Sequence, residues 1–189
     1  MASTYNQKHV FSNIVISCLG SVYFGYALSV FNPISEFIQL NVFPDLPSGV
    51  ITLMTSLTPV GAGIGAFLAG NLLNKIGRKA SILLADFLAI ISTIMTIIEN
   101  PGVILIARFL TGFCVGLNSS IVPLYNDEMA PVEAKGITST FTQLFICTGV
   151  LIAFLLGLGT PTGTSNPESQ WWKFIILGSI VLNAVRSYS

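Results

Sequence analysis

This sequence has very little charge. Only 8% of its 189 residues are Asp, Glu, Lys or Arg, against roughly 25% in soluble domains. So few charges cannot cover a water-facing surface, which excludes an ordinary soluble domain and makes the bilayer the expected solvent. The formal net charge is zero, so there is no basic field for nucleic acid. Histidine is represented once, by His9, read as an ordinary solvated side chain. The three cysteines, Cys18, Cys114 and Cys147, all lie within apolar runs and read as small buried hydrophobes rather than redox or metal groups. Nothing here can assemble a zinc site or a nucleophile–base pair. A membrane-embedded enzyme needs clustered acids, histidines or cysteines at depth, and this chain has none, so no catalysis, metal or cofactor is expected.

Long uncharged stretches take up most of the chain. Val10–Ser35, Leu46–Asn74 and Gly136–Pro167 carry no charge at all, while Ala80–Ile98 and Asn100–Asn126 carry one each, Asp86 and Arg108. A helix needs about 20 apolar residues to cross the hydrocarbon core. The expected fold is therefore an all-α membrane protein with six transmembrane helices, at approximately 11–31, 50–71, 80–98, 103–125, 138–158 and 171–188. The first run is not a cleavable signal, being long and followed by five more spans.

The remaining charges set the orientation. One set of helix ends holds Lys8, Lys75, Arg78, Lys79, Lys135 and Arg186, and the other holds Glu36, Asp45, Glu99 and Glu168 with Lys173 the only base. The positive-inside rule puts the first set, and with it both termini, in the cytosol. Trp171 and Trp172 are expected at an interface, and Asn32–Gly49 and Gly159–Gln170 as simple external connections. The sequon at Asn118 falls mid-span, away from glycosylation.

Two stretches concentrate the polar residues. "GNLLNKIGRK", Gly70–Lys79, reads as a short cytosolic hairpin: Gly70 allows close helix approach, Gly77 permits a turn, and Arg78 and Lys79 can hold carboxylates or helix-end carbonyls, although plain positive-inside anchoring also accounts for these bases. "RFLTGFCVGLNSSIVPLYNDEMAPVEAKG", Arg108–Gly136, resembles the signature of the sugar porter family of the major facilitator superfamily through Arg108, Gly112, Gly116, Pro123, Tyr125, Glu128, Ala130, Pro131, Lys135 and Gly136. The hairpin resembles the superfamily's G-x-x-x-D-R-x-G-R-R pattern, with Asn74 where many members carry Asp and Lys75 for the first Arg. "GSVYFGYALSVFNP" is similar to the family's first helix.

The resemblance implies a single domain, 1–189, equivalent to the N-terminal six-helix bundle, one half of the twelve-helix fold, with the second bundle absent. It implies transport of a hexose or related sugar by alternating access. A truncated or fragmentary product, a half that pairs with another half, and a non-transporting remnant or interaction protein all stay open. The resemblance puts Arg78, Lys79, Glu128 and Lys135 at cytosolic gate positions where ion pairs form between the two halves, with Gly70, Asn74 and Gly77 in the same hairpin. Asp127 and Glu133 read as solvated. The resemblance also puts a sugar-binding glutamine at Gln143, with Phe24 lining the same cavity; an interhelical hydrogen bond is the alternative for Gln143.

Arg108 and Asp86 are intramembrane charges expected at different depths. Proton-coupled members carry Asp on the first helix where this chain has Ala27, so facilitated diffusion is expected ahead of proton symport. For Asp86, both a substitute proton site and a group held by neighbouring helices stay open. The expected partners are a sugar, the lipid bilayer and the missing C-terminal half or a second half-transporter, with the plasma membrane expected ahead of an organelle.

Overall fold

In hydrocarbon the backbone has no water to bond, so each uncharged run has to satisfy its own N–H and C=O groups as helix. The computed structural model describes residues 20–44, 46–129, 135–159 and 171–187, and shows helices joined by short turns. Helix α1 is described over 20–29. It continues through Val30, which keeps helical angles (φ −58°, ψ −32°) and donates its N–H to the Tyr26 carbonyl at 2.8 Å. Beyond it come α2, Phe31–Phe37, and a π-helical turn, Ile38–Val42. The helices that follow are α3 Ser48–Ile76, α4 Arg78–Ile97, α5 Pro101–Met129, α6 Lys135–Gly157 and α7 Trp171–Ser187.

In order, these helices match the six predicted spans, although residues 11–19 of the first span lie outside the described residues. Among the described residues, four segments are long and apolar enough to cross a membrane, within α3, α4, α5 and α6. Helices α3 and α5 have 29 residues each. At 1.5 Å per residue that is about 43 Å, more than the ~30 Å hydrocarbon core, so their polar ends extend beyond it.

One predicted loop is mostly helix. Asn32–Gly49 was expected to be a simple connection, yet helical geometry runs on to Val42. The cause is an apolar face: Phe31, Ile34, Phe37 and Ile38 are buried in one cluster with Ile51, Met54, Ile104 and Trp172. Pro33 does not end the helical path, since Val30 before it keeps helical angles and the ladder loses only the one N–H that proline lacks. Trp172 also departs from expectation. It is 3% exposed and packs in this core rather than anchoring at an interface.

Helix α5 is the centre of the bundle, with 56% of its spanning window buried, against 28% for α3 and 22% for α6. Glycines set the α3–α5 distance. A Cβ on Gly61 or Gly65 would lie 2.4 and 2.2 Å from the Phe109 and Phe113 carbonyl oxygens; one on Gly112 or Gly116 would lie 2.0 and 2.1 Å from those of Thr58 and Ala62. Each helix thus presents two glycines to the other's backbone, the small-residue packing expected where lipid supplies no hydrophobic force between helices. The same reciprocity joins α1 to α6, with Gly25 against Ile146 and Gly149 against Val22. Outward faces carry large apolar side chains, including Leu53, Val60, Ile64 and Phe67 on α3 and Leu144, Leu151, Phe154 and Leu155 on α6.

Candidate functional site: a polar end and a buried polar centre

The predicted hairpin is a turn of one residue. Gly77 has φ +79°, a backbone region that L side chains rarely adopt, and its N–H caps α3 by donating to the Leu73 carbonyl at 3.1 Å. Its own carbonyl then accepts from the Ser81 N–H at 3.1 Å and the Ser81 hydroxyl at 2.7 Å, opening α4. Such a tight turn holds Arg78 at the first position of α4, beside the end of α5, and its guanidinium forms an ion pair with the Glu128 carboxylate. The two polar stretches singled out in the sequence therefore meet.

The resemblance implied gate pairs between two halves; within this bundle Arg78 and Glu128 pair with each other across the neighbouring ends of α4 and α5. Gly70 departs from expectation. It is exposed, and a Cβ added there would meet nothing within 4 Å; close approach occurs at Gly61 and Gly65 instead. Asn74 and Lys75 are exposed in the last turn of α3. Lys79 and Lys135 lie in α4 and at the start of α6, but their side chains, like that of Asp127, are outside the described set, as are Pro131 and Glu133 entirely. Elsewhere, Lys173 Nζ lies 2.8 Å from Glu99 Oε1, which groups these two as the charge pattern did.

Between the ends, the chain buries a cation. Arg108 is 2% exposed. One terminal nitrogen donates to Thr96 Oγ1 at 3.3 Å, and the guanidinium carbon lies 4.2 Å from the centroid of the Phe31 ring. Around it Thr93, Thr96, Thr111 and Ser179 form a hydroxyl cluster from three helices: Thr93 and Ser179 lie 3.1 Å apart, and the Thr111 and Ser92 hydroxyls 3.2 Å apart. Ala27 lines the same cavity, where a carboxylate would stand in the proton-coupled pattern. Asp86 is also buried, ten residues before Thr96 on α4. That is about 15 Å along the helix axis, so the two intramembrane charges sit at different depths, as expected.

Phe24 is half-buried and lines a second cavity, of about 50 Å³, between α1, α5 and α6. Asn118, Thr142 and Ile146 form much of its wall. Gln143 does not border this space. It is exposed on α6 and donates to Cys147 Sγ at 3.8 Å, one turn on. The described structure thus brings Phe24 and Gln143 to neighbouring faces rather than to one cavity. Asn118, the sequon asparagine, is 1% exposed and donates to the Cys114 carbonyl at 3.0 Å.

Sequence inspection missed the hydroxyl cluster. Its signal was present: Ser92, Thr93 and Thr96 recur at helical spacing within an apolar run, which puts them on one face.

Comparison with known proteins bears on these features together. A family profile described as "Sugar (and other) transporter" matches residues 13–186. Mouse solute carrier family 2, facilitated glucose transporter member 5 is 35% identical over 161 residues, covering 76% of this chain and 32% of its own. The major myo-inositol transporter IolT of Bacillus subtilis (strain 168) is 35% identical over 173 residues, covering 87% and 35%. In structure, the proton:xylose symporter XylE bound to 6-bromo-6-deoxy-D-glucose superposes with a TM-score of 0.84 at 22% identity, over 97% of this chain and 44% of its own. The inward-open form of the xylose transporter XylE from E. coli gives 0.83 at 24% identity, over 95% and 47%. The fold is one half of the major facilitator fold, an integral membrane bundle. The chain spans about a third of the length of these curated relatives.

Proposed function

Because the chain belongs to the sugar (and other) transporter family, we propose that it forms one six-helix half of a carrier that moves a hexose or related polyol by alternating access. The observation that carries this is the ion pair between Arg78 and Glu128, which joins the two signature stretches at one end of the bundle. An exposed pair of this kind contributes only about 0–1 kcal/mol, which suits a contact that reorganises in every transport cycle. The relatives' printed names, with glucose, myo-inositol and xylose, support a substrate of pyranose size. Gln143, exposed on α6, presents an amide that both donates and accepts, as a sugar hydroxyl requires. Ala27 facing Arg108 supports passive rather than proton-driven movement.

In this scheme the end carrying Arg78 and Glu128 is cytosolic, with both termini, in the plasma membrane. The exposed faces of α3 and α6 meet a second six-helix bundle. The test is reconstitution in liposomes, alone and together with the C-terminal half of a relative, using labelled glucose, xylose and myo-inositol. Saturable uptake with sugar counterflow is expected in the paired preparation. Uptake no faster than in protein-free liposomes in both preparations would refute the proposal.

A further inference from the structure

The Arg108 cavity carries an inference that does not depend on which sugar is moved. A buried guanidinium keeps its charge, and an unpaired charge in a low-dielectric interior costs several kcal/mol. Among the described residues, no carboxylate borders this cavity. Phe31 offers a ring face, which attracts a cation but does not neutralise it. Arg108 Nε–H has no hydrogen-bond partner among the described residues, and the cavity beside it measures about 10 Å³, room for one water-sized particle.

We infer that this cavity is a binding site for a single halide ion, chloride under physiological conditions, held by Arg108 and by hydroxyls of the surrounding cluster. The hydroxyls can turn to it at little cost. Thr93, Thr96 and Thr111 donate to the Ala89, Ser92 and Ala107 carbonyls, each four residues back. Those carbonyls also face the backbone N–H groups of the helix ladder, so turning a hydroxyl away leaves none of them unsatisfied. The hydrogen bond gained is charge-assisted and stronger than the one given up. The small volume favours a single-atom anion over a free polyatomic one such as sulfate. Ala27 leaves the space in which an aspartate would make a bound anion redundant.

The test is thermal unfolding of the purified chain in sodium chloride, bromide and gluconate at equal ionic strength. Chloride and bromide at ten times their dissociation constant should raise the midpoint by about 3–6 °C over gluconate. Ala27→Asp, which brings its own carboxylate to Arg108, should remove that dependence. If that variant does not fold, Thr96→Val should weaken the dependence without removing the cation. Equal midpoints in all three salts would overturn the inference and leave the cavity to water. A halide effect that survives unchanged in both variants would place the ion elsewhere and equally overturn it.

Discussion

Arg78, the first residue of α4, is ion-paired with Glu128, one residue before the end of α5. Their side chains are 49% and 33% exposed, so solvent screens the attraction and the pair adds about 0–1 kcal/mol to stability. Glu128→Gln should leave the unfolding midpoint almost unchanged while altering the rate of sugar uptake in a paired carrier. The reversed pair, Arg78→Glu with Glu128→Arg, should recover more activity than either single change. Equal loss in the double and single variants would show that the pairing itself is unimportant.

Packing predicts a sharp contrast among glycines. Gly116→Ala would drive a methyl to 2.1 Å from the Ala62 carbonyl oxygen, and backbone cannot yield as a flexible side chain can. A loss of about 1–3 kcal/mol is expected. Gly63→Ala, also within a helix and with nothing within 4 Å of the added carbon, should be neutral or stabilise by about 0.5–1 kcal/mol. Thermal unfolding of the two variants side by side checks this.

Ala27→Asp gives a third prediction. It places a carboxylate in the cavity that Arg108 borders. In a paired carrier, uptake by the unaltered protein should ignore an imposed proton gradient, and the variant should become sensitive to one. Fluorescence of a pH dye trapped inside vesicles, with sugar added outside, reads both cases, and luminal acidification driven by sugar in the unaltered protein would contradict the passive mechanism.

Gln143 and Cys147 are exposed on successive turns of α6 and are in contact. Loss of one neutral hydrogen bond to a sugar corresponds to about 0.5–1.5 kcal/mol, or roughly 2- to 10-fold in affinity. Gln143→Ala should raise the KM for hexose by that factor with surface expression intact. Sugar should also slow the reaction of Cys147 with a maleimide. An unchanged KM together with unprotected Cys147 would remove this face from the sugar path.

Much of the polar end was legible in the sequence. Charge is so scarce that each charged residue stands out, and Gly77 followed by Arg78 after an apolar run allows little besides a turn. Trp172 and Asn32–Val42 were misread because local cues for interfaces and loops, an aromatic pair and a proline beside polar residues, carry no knowledge of what packs against them. Gly70 was misread for a related reason. A glycine near a helix end looks like a close contact until the neighbouring helix is known to cross α3 nearer its middle, at Gly61 and Gly65.

What the sequence determined by itself was solvent, helix number and order, because a bilayer permits uncharged runs of about 20 residues only one arrangement that satisfies their backbone. Only the tertiary structure decided which polar groups share a space. The Arg108 centre draws on α1, α4, α5 and α7, from Tyr23 to Ser179, elements far apart along the chain. Their convergence depends on helix rotation and depth, set by reciprocal glycines whose partners no local pattern specifies.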